Sequence, residues 1–152
     1  MTIYLVRHAK AGSRRDWSKD DDLRPLSPVG HRQAARIAKA LADAGATRVV
    51  SSPFVRCRQT LDPLAQRLRL PLELSDALAE DVPVTDTLRL FEKVAEETTV
   101  LCTHGDIVTN VIEHLTKAGV PIDDERLEKG SIWELETRDG EIVGAHYRPP
   151  PG

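Results

Sequence analysis

The chain has 152 residues, one domain's worth, since two domains of half that length would each bury too little surface for a sound core. Apolar residues at 40% and charged residues at 30% are the mix of an ordinary soluble globular protein, which excludes a disordered tail and a membrane protein. A net charge of -3 excludes the global basic field that nucleic-acid polymers attract. Residues 3–6 are a short apolar run and predict a buried strand. Residues 9–26 are polar, with the acidic run Asp20, Asp21 and Asp22, and read as a long surface loop. Ser27 followed by Pro28 is an N-cap with proline at the first helical position. Ala34, Ala35, Ile37, Ala38 and Leu41 then recur at helical spacing, and Gly45 marks the stop.

Residues 48–51 predict a second strand. Ser52 and Pro53 repeat the cap-plus-proline signature and open a helix through about residue 68, which Pro63 should kink or interrupt. Residues 70–74 read as a third strand, residues 75–83 as a loop, and residues 85–96 as an amphipathic helix with Leu88, Phe91, Val94 and Ala95 on one face. Residues 98–103 are the clearest buried strand. Residues 105–118 predict another helix ending at Gly119. Residues 131–136 and 141–146 alternate and flank Asp139 and Gly140, a hairpin signal. Residues 148–152, with three consecutive prolines, read as an extended tail.

Strands alternating with helices predict an α/β fold, a three-layer α/β/α sandwich whose largely parallel sheet is covered on both faces. One antiparallel strand could close an edge. The whole of 1–152 reads as a single domain. Right-handed crossovers gather the carboxyl ends of the parallel strands on one rim, where ligands bind in open α/β sheets. Just past those ends stand Arg7 and His8, then Ser51 and Ser52 with Arg56 in the following turn, then His104, Gly105 and Asp106. Two histidines and two arginines from three strands thus meet on one rim. Helices opening near Pro53 and Gly105 add N-terminal N–H groups that favour an anion. Arginine suits bidentate phosphate contacts. Phosphoryl transfer mainly needs positioning and charge stabilisation. The sequence carries neither a Walker lysine loop nor an Asp-rich magnesium loop, and a histidine, neutral when it attacks, can serve as nucleophile in place of a metal-bound water.

These residues resemble a known family. Leu5, Val6, Arg7, His8 and Ala9 resemble the Arg-His-Gly signature of the histidine phosphatase superfamily, the phosphoglycerate-mutase-like fold. Ser51, Ser52, Pro53, Arg56, Gln59 and Thr60 look like its second signature. Thr103, His104 and Gly105 are similar to its third, and Leu26, Ser27, Gly30, Gln33 and Ala34 to the segment that opens its first helix. The size resembles the small SixA-like phosphohistidine phosphatase branch. The run 7–13, with Arg24, Pro25 and Leu26, residues 102–106, and Lys129, Gly130 and Ser131, looks like the phosphatase domain of actinobacterial MutT-type Nudix fusions. No Nudix box is present, and there is no room for the insertions of the mutase branch.

The resemblance implies that His8 attacks phosphorus and that Arg7, Arg56 and His104 hold the phosphoryl oxygens. It implies a carboxylic acid after the third strand: Glu80 first, from the Leu-x-Glu pattern, then Asp81, and least Asp76. It implies no cofactor and no metal. Ala9 replaces the signature glycine, and its methyl would crowd the phosphate slightly. Lys10, Arg14, Arg15 and Arg24 either ring the pocket and meet further phosphates or stay solvated in the loop. Gly105 backs the anion, and Lys129 and Ser131 are candidates to reach the rim at the hairpin entry. Asp106 reads as a helix N-terminal carboxylate rather than a ligand. Arg58, His31, His114 and His146 read as surface residues. Trp17 either pins its loop or meets a partner.

Substrate expectations are a phosphohistidine protein or a small phosphoester, with a nucleotide or polyphosphate as the alternative. A non-catalytic phosphate-binding module is the reading from another class. Cys57 and Cys102 are too few for a disulfide framework or a zinc site and read as small buried residues, in a reducing, cytoplasmic setting. Residues 1–6 lead straight into Arg7, far short of the ~20 apolar residues of a span, so no signal peptide, anchor or membrane contact is expected.

Overall fold

In the computed structural model, which describes residues 1–124 and 126–152, the apolar runs become the strands of one six-stranded sheet. The elements in chain order are β1 (Thr2–Arg7), α1 (Pro28–Leu41), β2 (Arg48–Ser51), α2 (Val55–Leu68), β3 (Leu72–Leu74), α3 (Val84–Val94), β4 (Thr99–Thr103), α4 (Gly105–Lys117), β5 (Ile132–Arg138) and β6 (Glu141–Arg148). The strands stand in the order β3, β2, β4, β1, β5, β6. The first four are parallel, and β5 and β6 are antiparallel to their neighbours β1 and β5. Two added strands, rather than one, therefore extend the parallel sheet.

Period-two alternation sends neighbouring residues to opposite faces. Leu5, Val50 and Leu101 pack with Phe91 and Val94 of α3 and Val108 and Val111 of α4. Val6, Val49, Val100 and Cys102 pack with Ile37 and Leu41 of α1 and Leu61 and Leu64 of α2. The sheet is thus the middle of a three-layer sandwich. With few aromatic residues, aliphatic side chains fill most of both cores. Phe91, Trp133 and Tyr147 are the buried aromatic residues of the α3 and α4 side, and Trp133 is the largest of them.

Boundaries shift where loop contacts outweigh local signals. Ser27 caps α1 as expected, its Oγ accepting from Gly30 N–H at 3.1 Å. Helix α2 begins at Val55 and not at Ser52 and Pro53, because Ser52 Oγ accepts from Phe54 N–H and leaves that turn outside the helix. Pro63 does not interrupt α2. Leu61, Leu64 and Ala65 on either side are buried, and that packing outweighs the roughly 3 kcal/mol that an interior proline costs. Leu70 and Pro71 fall outside β3, which keeps three residues. The predicted loops hold 3₁₀ turns at Asp21–Leu23 and Asp76–Leu78. Arg148 belongs to β6, so the irregular tail is only 149–152. Among the described residues no helix is long and apolar enough to cross a membrane.

Candidate active site

Parallel register brings the site together. Arg7 of β1 stands beside Thr103 of β4, so His8 and His104 leave the sheet from adjacent positions. His8 N–H donates to the Thr103 carbonyl at 3.0 Å and Ser52 N–H to the Cys102 carbonyl at 3.0 Å. The two imidazole rings end 5.5 Å apart, edge to face. A cleft of about 410 Å3 opens at His8, lined by Arg7, His8, Arg14, Arg24, Glu80, Asp81, Gly105, Asp106, Thr109, Leu127 and Lys129.

His8 is 6% exposed. Its Nδ1 and the Ala9 carbonyl oxygen lie 2.8 Å apart; a carbonyl can only accept, so Nδ1 carries the proton and donates. Burial, opposed by that hydrogen bond and reinforced by the charges of His104, Arg56 and Arg7, pushes the His8 pKa down to about 3. The imidazole is therefore neutral, with its lone pair on Nε2. Ala9 does not crowd the cleft: it is fully buried and packs with Leu26 and Ala34. Its N–H donates to Thr60 Oγ1 at 3.0 Å.

Arg7 is fixed by a hydrogen bond from its Nη1 to the Leu127 carbonyl at 2.6 Å, while its buried Nε has no partner among the described residues. Gly105 lets the guanidinium lie against the start of α4; a Cβ there would stand 2.9 Å from Arg7 Cζ. Arg56 and His104 do not line the cleft, but both face Glu80, which does. Arg56, fully buried, gives Nη2 to Glu80 Oε1 at 2.6 Å and to Asp21 Oδ2 at 3.0 Å, and Nη1 to the Asp21 carbonyl at 2.8 Å. Its Nε too is buried and unpartnered among the described residues. His104 Nδ1 faces Glu80 Oε1 at 3.2 Å without hydrogen-bond alignment, and its Nε2 shares a 2.9 Å hydrogen bond with Ser52 Oγ. Arg7 Nε, Arg56 Nε and His104 Nδ1 are thus buried nitrogens without a hydrogen-bond partner among the described residues, and their charges or N–H groups favour an anion nearby.

The remaining expectations divide. Glu80 and Asp81 reach the cleft, and Asp76 is exposed away from it. Asp106, at the start of α4, accepts from Asp81 N–H at 2.9 Å, which holds the acidic loop over the helix end. Arg14, Arg24 and Lys129 line the cleft. Burial, and then the charges of Arg7, Arg24, Lys10 and Arg14, lowers the Lys129 pKa, so these cations lie close together. Lys10 and Arg15 are exposed and outside the lining; Lys10 serves through its main chain, its carbonyl accepting from Ser27 N–H and Oγ–H. Ser131 is buried and holds Arg7 N–H through its carbonyl instead of reaching the rim. Trp17 pins its own loop, donating from Nε1 to the Asp20 carbonyl at 2.8 Å. Among the described residues no cluster of three His, Cys, Asp or Glu side chains could hold a metal ion.

Asp21 is the residue that sequence reading missed. Slight burial pushes its pKa up, but hydrogen bonding from Arg24 and the charge of Arg56 outweigh this and hold it below the usual carboxylate value. It joins Arg56 to Arg24. The only signal was an acidic run inside an arginine-rich loop, which does not say which acid turns inward.

Comparison with known proteins gives concordant results. The family model of the histidine phosphatase superfamily (branch 1) matches residues 3–88. The chain is 35% identical to an 8-oxo-(d)GTP phosphatase of Mycolicibacterium smegmatis over 99% of its own length and 48% of the relative's. It thus spans about half the length of that curated relative. Among solved structures, the protein histidine phosphatase SixA complexed with tungstate superposes with a TM-score of 0.76 at 20% identity, over 98% of this chain and 95% of that one. A SixA protein from Nakamurella multipartitia described as a phosphohistidine phosphatase superposes at 0.71 and 25% identity, over 97% and 93%.

Proposed function

The chain belongs to the histidine phosphatase superfamily, and from that premise we propose that it is a metal-independent phosphatase carrying the phosphoryl group on His8. The observation that carries this reading is the His8 imidazole, neutral, with Nδ1–H held by Ala9 and donors gathered around it. Nε2 attacks phosphorus and a P–N bond forms as the bond to the leaving group breaks. Arg7, Arg56 and His104 take the charge on the phosphoryl oxygens. Glu80 gives its proton to the departing atom. Both observed contacts of Glu80 fall on Oε1, and Oε2 is the atom we assign to that exchange. Water then attacks phosphorus, Glu80 takes up a water proton, and the P–N electron pair returns to Nε2.

The substrate in this reading is a phosphorylated small molecule or a phosphohistidine protein. The cationic edge of Arg14, Arg24 and Lys129 favours a second reading, a substrate with additional phosphates such as a nucleotide or polyphosphate. The 8-oxo-(d)GTP phosphatase relative supports the same alternative. The whole chain 1–152 acts as one catalytic unit, and a cytoplasmic setting accords with this chemistry.

The test is a phosphatase assay of the wild type beside His8→Ala, with labelled donor and acid-labile phosphate measured on the protein. Wild type should hydrolyse and trap label on His8, and His8→Ala should do neither. A chelator should leave the rate unchanged. If both proteins bind phosphate and neither hydrolyses any donor, the chain is a binding module instead.

A further inference from the structure

We propose that a groove along α4, continuous with the phosphate cleft, seats the leaving group of the substrate, and that this group ends in a nucleoside, released as the free nucleoside from a 5′-monophosphate and as the nucleoside monophosphate from a 5′-diphosphate. The inference rests on the phosphatase reading above and adds what is released. Its basis is continuity: Thr109 and Leu127 line the cleft and also line a second cavity of about 320 Å3. Val108, Ile112 and Leu127 give that cavity an apolar wall, and Glu113, Thr116, Lys117 and Arg126 give it a polar rim.

The positions 109, 112, 113 and 116 recur at helical spacing and form one face of α4. The helix rises about 10 Å over that stretch. The groove therefore starts at the cleft wall and runs outward for about the reach of a sugar and its base. Its volume lies at the small end of the roughly 300–1,000 Å3 typical of small-molecule sites, far below what a docked domain would cover. A flat apolar base matches the Val108 and Ile112 wall. A hydroxylated sugar matches Thr109 at the mouth and the Glu113 carboxylate. Thr116 gives its own proton to the Ile112 carbonyl at 2.8 Å, so its oxygen remains an acceptor. A phosphohistidine on a protein would place only an imidazole in the cleft and would leave this slot unused.

Glu113 and Thr116 are exposed helix positions outside the phosphate cleft. Glu113→Trp and Thr116→Trp fill the groove from its rim. Turnover of adenosine and guanosine 5′-monophosphate and 5′-diphosphate would be compared with that of acetyl phosphate, which is too short to enter the groove. Each variant should raise KM for the nucleotides by roughly tenfold or more and leave acetyl phosphate within about twofold. In the wild type, adenosine alone should compete with the nucleotides and not with acetyl phosphate. Unchanged nucleotide KM in both variants, a parallel loss on both substrate types, or a wild type that cleaves acetyl phosphate but no nucleotide would each overturn the assignment. In the last case the phosphatase reading stands. Absence of any hydrolysis and of any trapped phosphohistidine sinks both.

Discussion

At the scale of single residues the site is a problem in placing protons. His8 is kept neutral by burial, so its pKa lies near 3, below the ordinary 6.5. The unfolded chain binds a proton there as pH falls through about 6.5, and the folded chain does not until about 3. The contribution of His8 to stability is therefore fully present above about pH 6.5 and is lost as pH falls toward 3. We expect the urea midpoint of the wild type to drop across that window more steeply than that of His8→Asn. The difference should be on the order of a few kcal/mol at its acid end. For the same reason protonation of His8 should not set the acid limb of kcat/KM in the free enzyme. Glu80 supplies the second residue-scale expectation. Glu80→Gln keeps an oxygen for Arg56 but cannot donate a carboxylic proton. It should depress turnover of alkyl phosphates by roughly 10²-fold or more and of aryl phosphates far less. Equal losses on both substrates would show that Glu80 only positions Arg56 and His104.

Elements matter through where they start and how closely they approach. Gly30 on α1 lies so near the loop after β1 that a Cβ would stand 2.0 Å from the Lys10 carbonyl oxygen. That is backbone against backbone, so Gly30→Ala should destabilise by about 1–3 kcal/mol or more, read as a fall in Tm. Gly105 at the start of α4 is different, because its Cβ would meet the far end of the Arg7 side chain. That guanidinium can shift by giving up its hydrogen bond to the Leu127 carbonyl, a smaller cost than moving backbone. Gly105→Ala should leave Tm nearly unchanged and lower kcat by roughly tenfold to a hundredfold through a misplaced guanidinium. A large Tm loss with normal kcat in the folded fraction would contradict that division. Helix α2 shows why element ends resist prediction: Ser52 looks like a cap for it, but its hydroxyl is drawn into the turn at Phe54 and onto His104.

For the whole molecule, a chain of net charge -3 presents Arg14, Arg24 and Lys129 in a cleft that also carries Glu80, Asp81 and Asp106, with Arg14 and Arg24 paired to Asp21 and Lys129 in no ion pair among the described residues. The local field of these cations raises the encounter rate of anions and is screened by salt. Raising ionic strength from about 0.02 to about 0.5 M should lower kcat/KM for nucleoside diphosphates several-fold more than for acetyl phosphate. Equal salt dependence would mean that those cations do not meet the substrate. The sequence by itself determined the alternation of strands and helices, the two faces of the sheet, and the delivery of His8 and His104 to one rim. These follow from side-chain periodicity and from the handedness of crossovers, which are local and general. Only the tertiary structure decided that Asp21 turns inward to Arg56, that Lys10 stays outside the cleft, that Ala9 packs away from it, and that Ser52 belongs to His104. Those choices join groups that lie 35 or 52 positions apart in the chain, as in Arg56 with Asp21 and Ser52 with His104. They depend on which of several equivalent side chains meets a buried partner once the layers close, and no sequence interval encodes that.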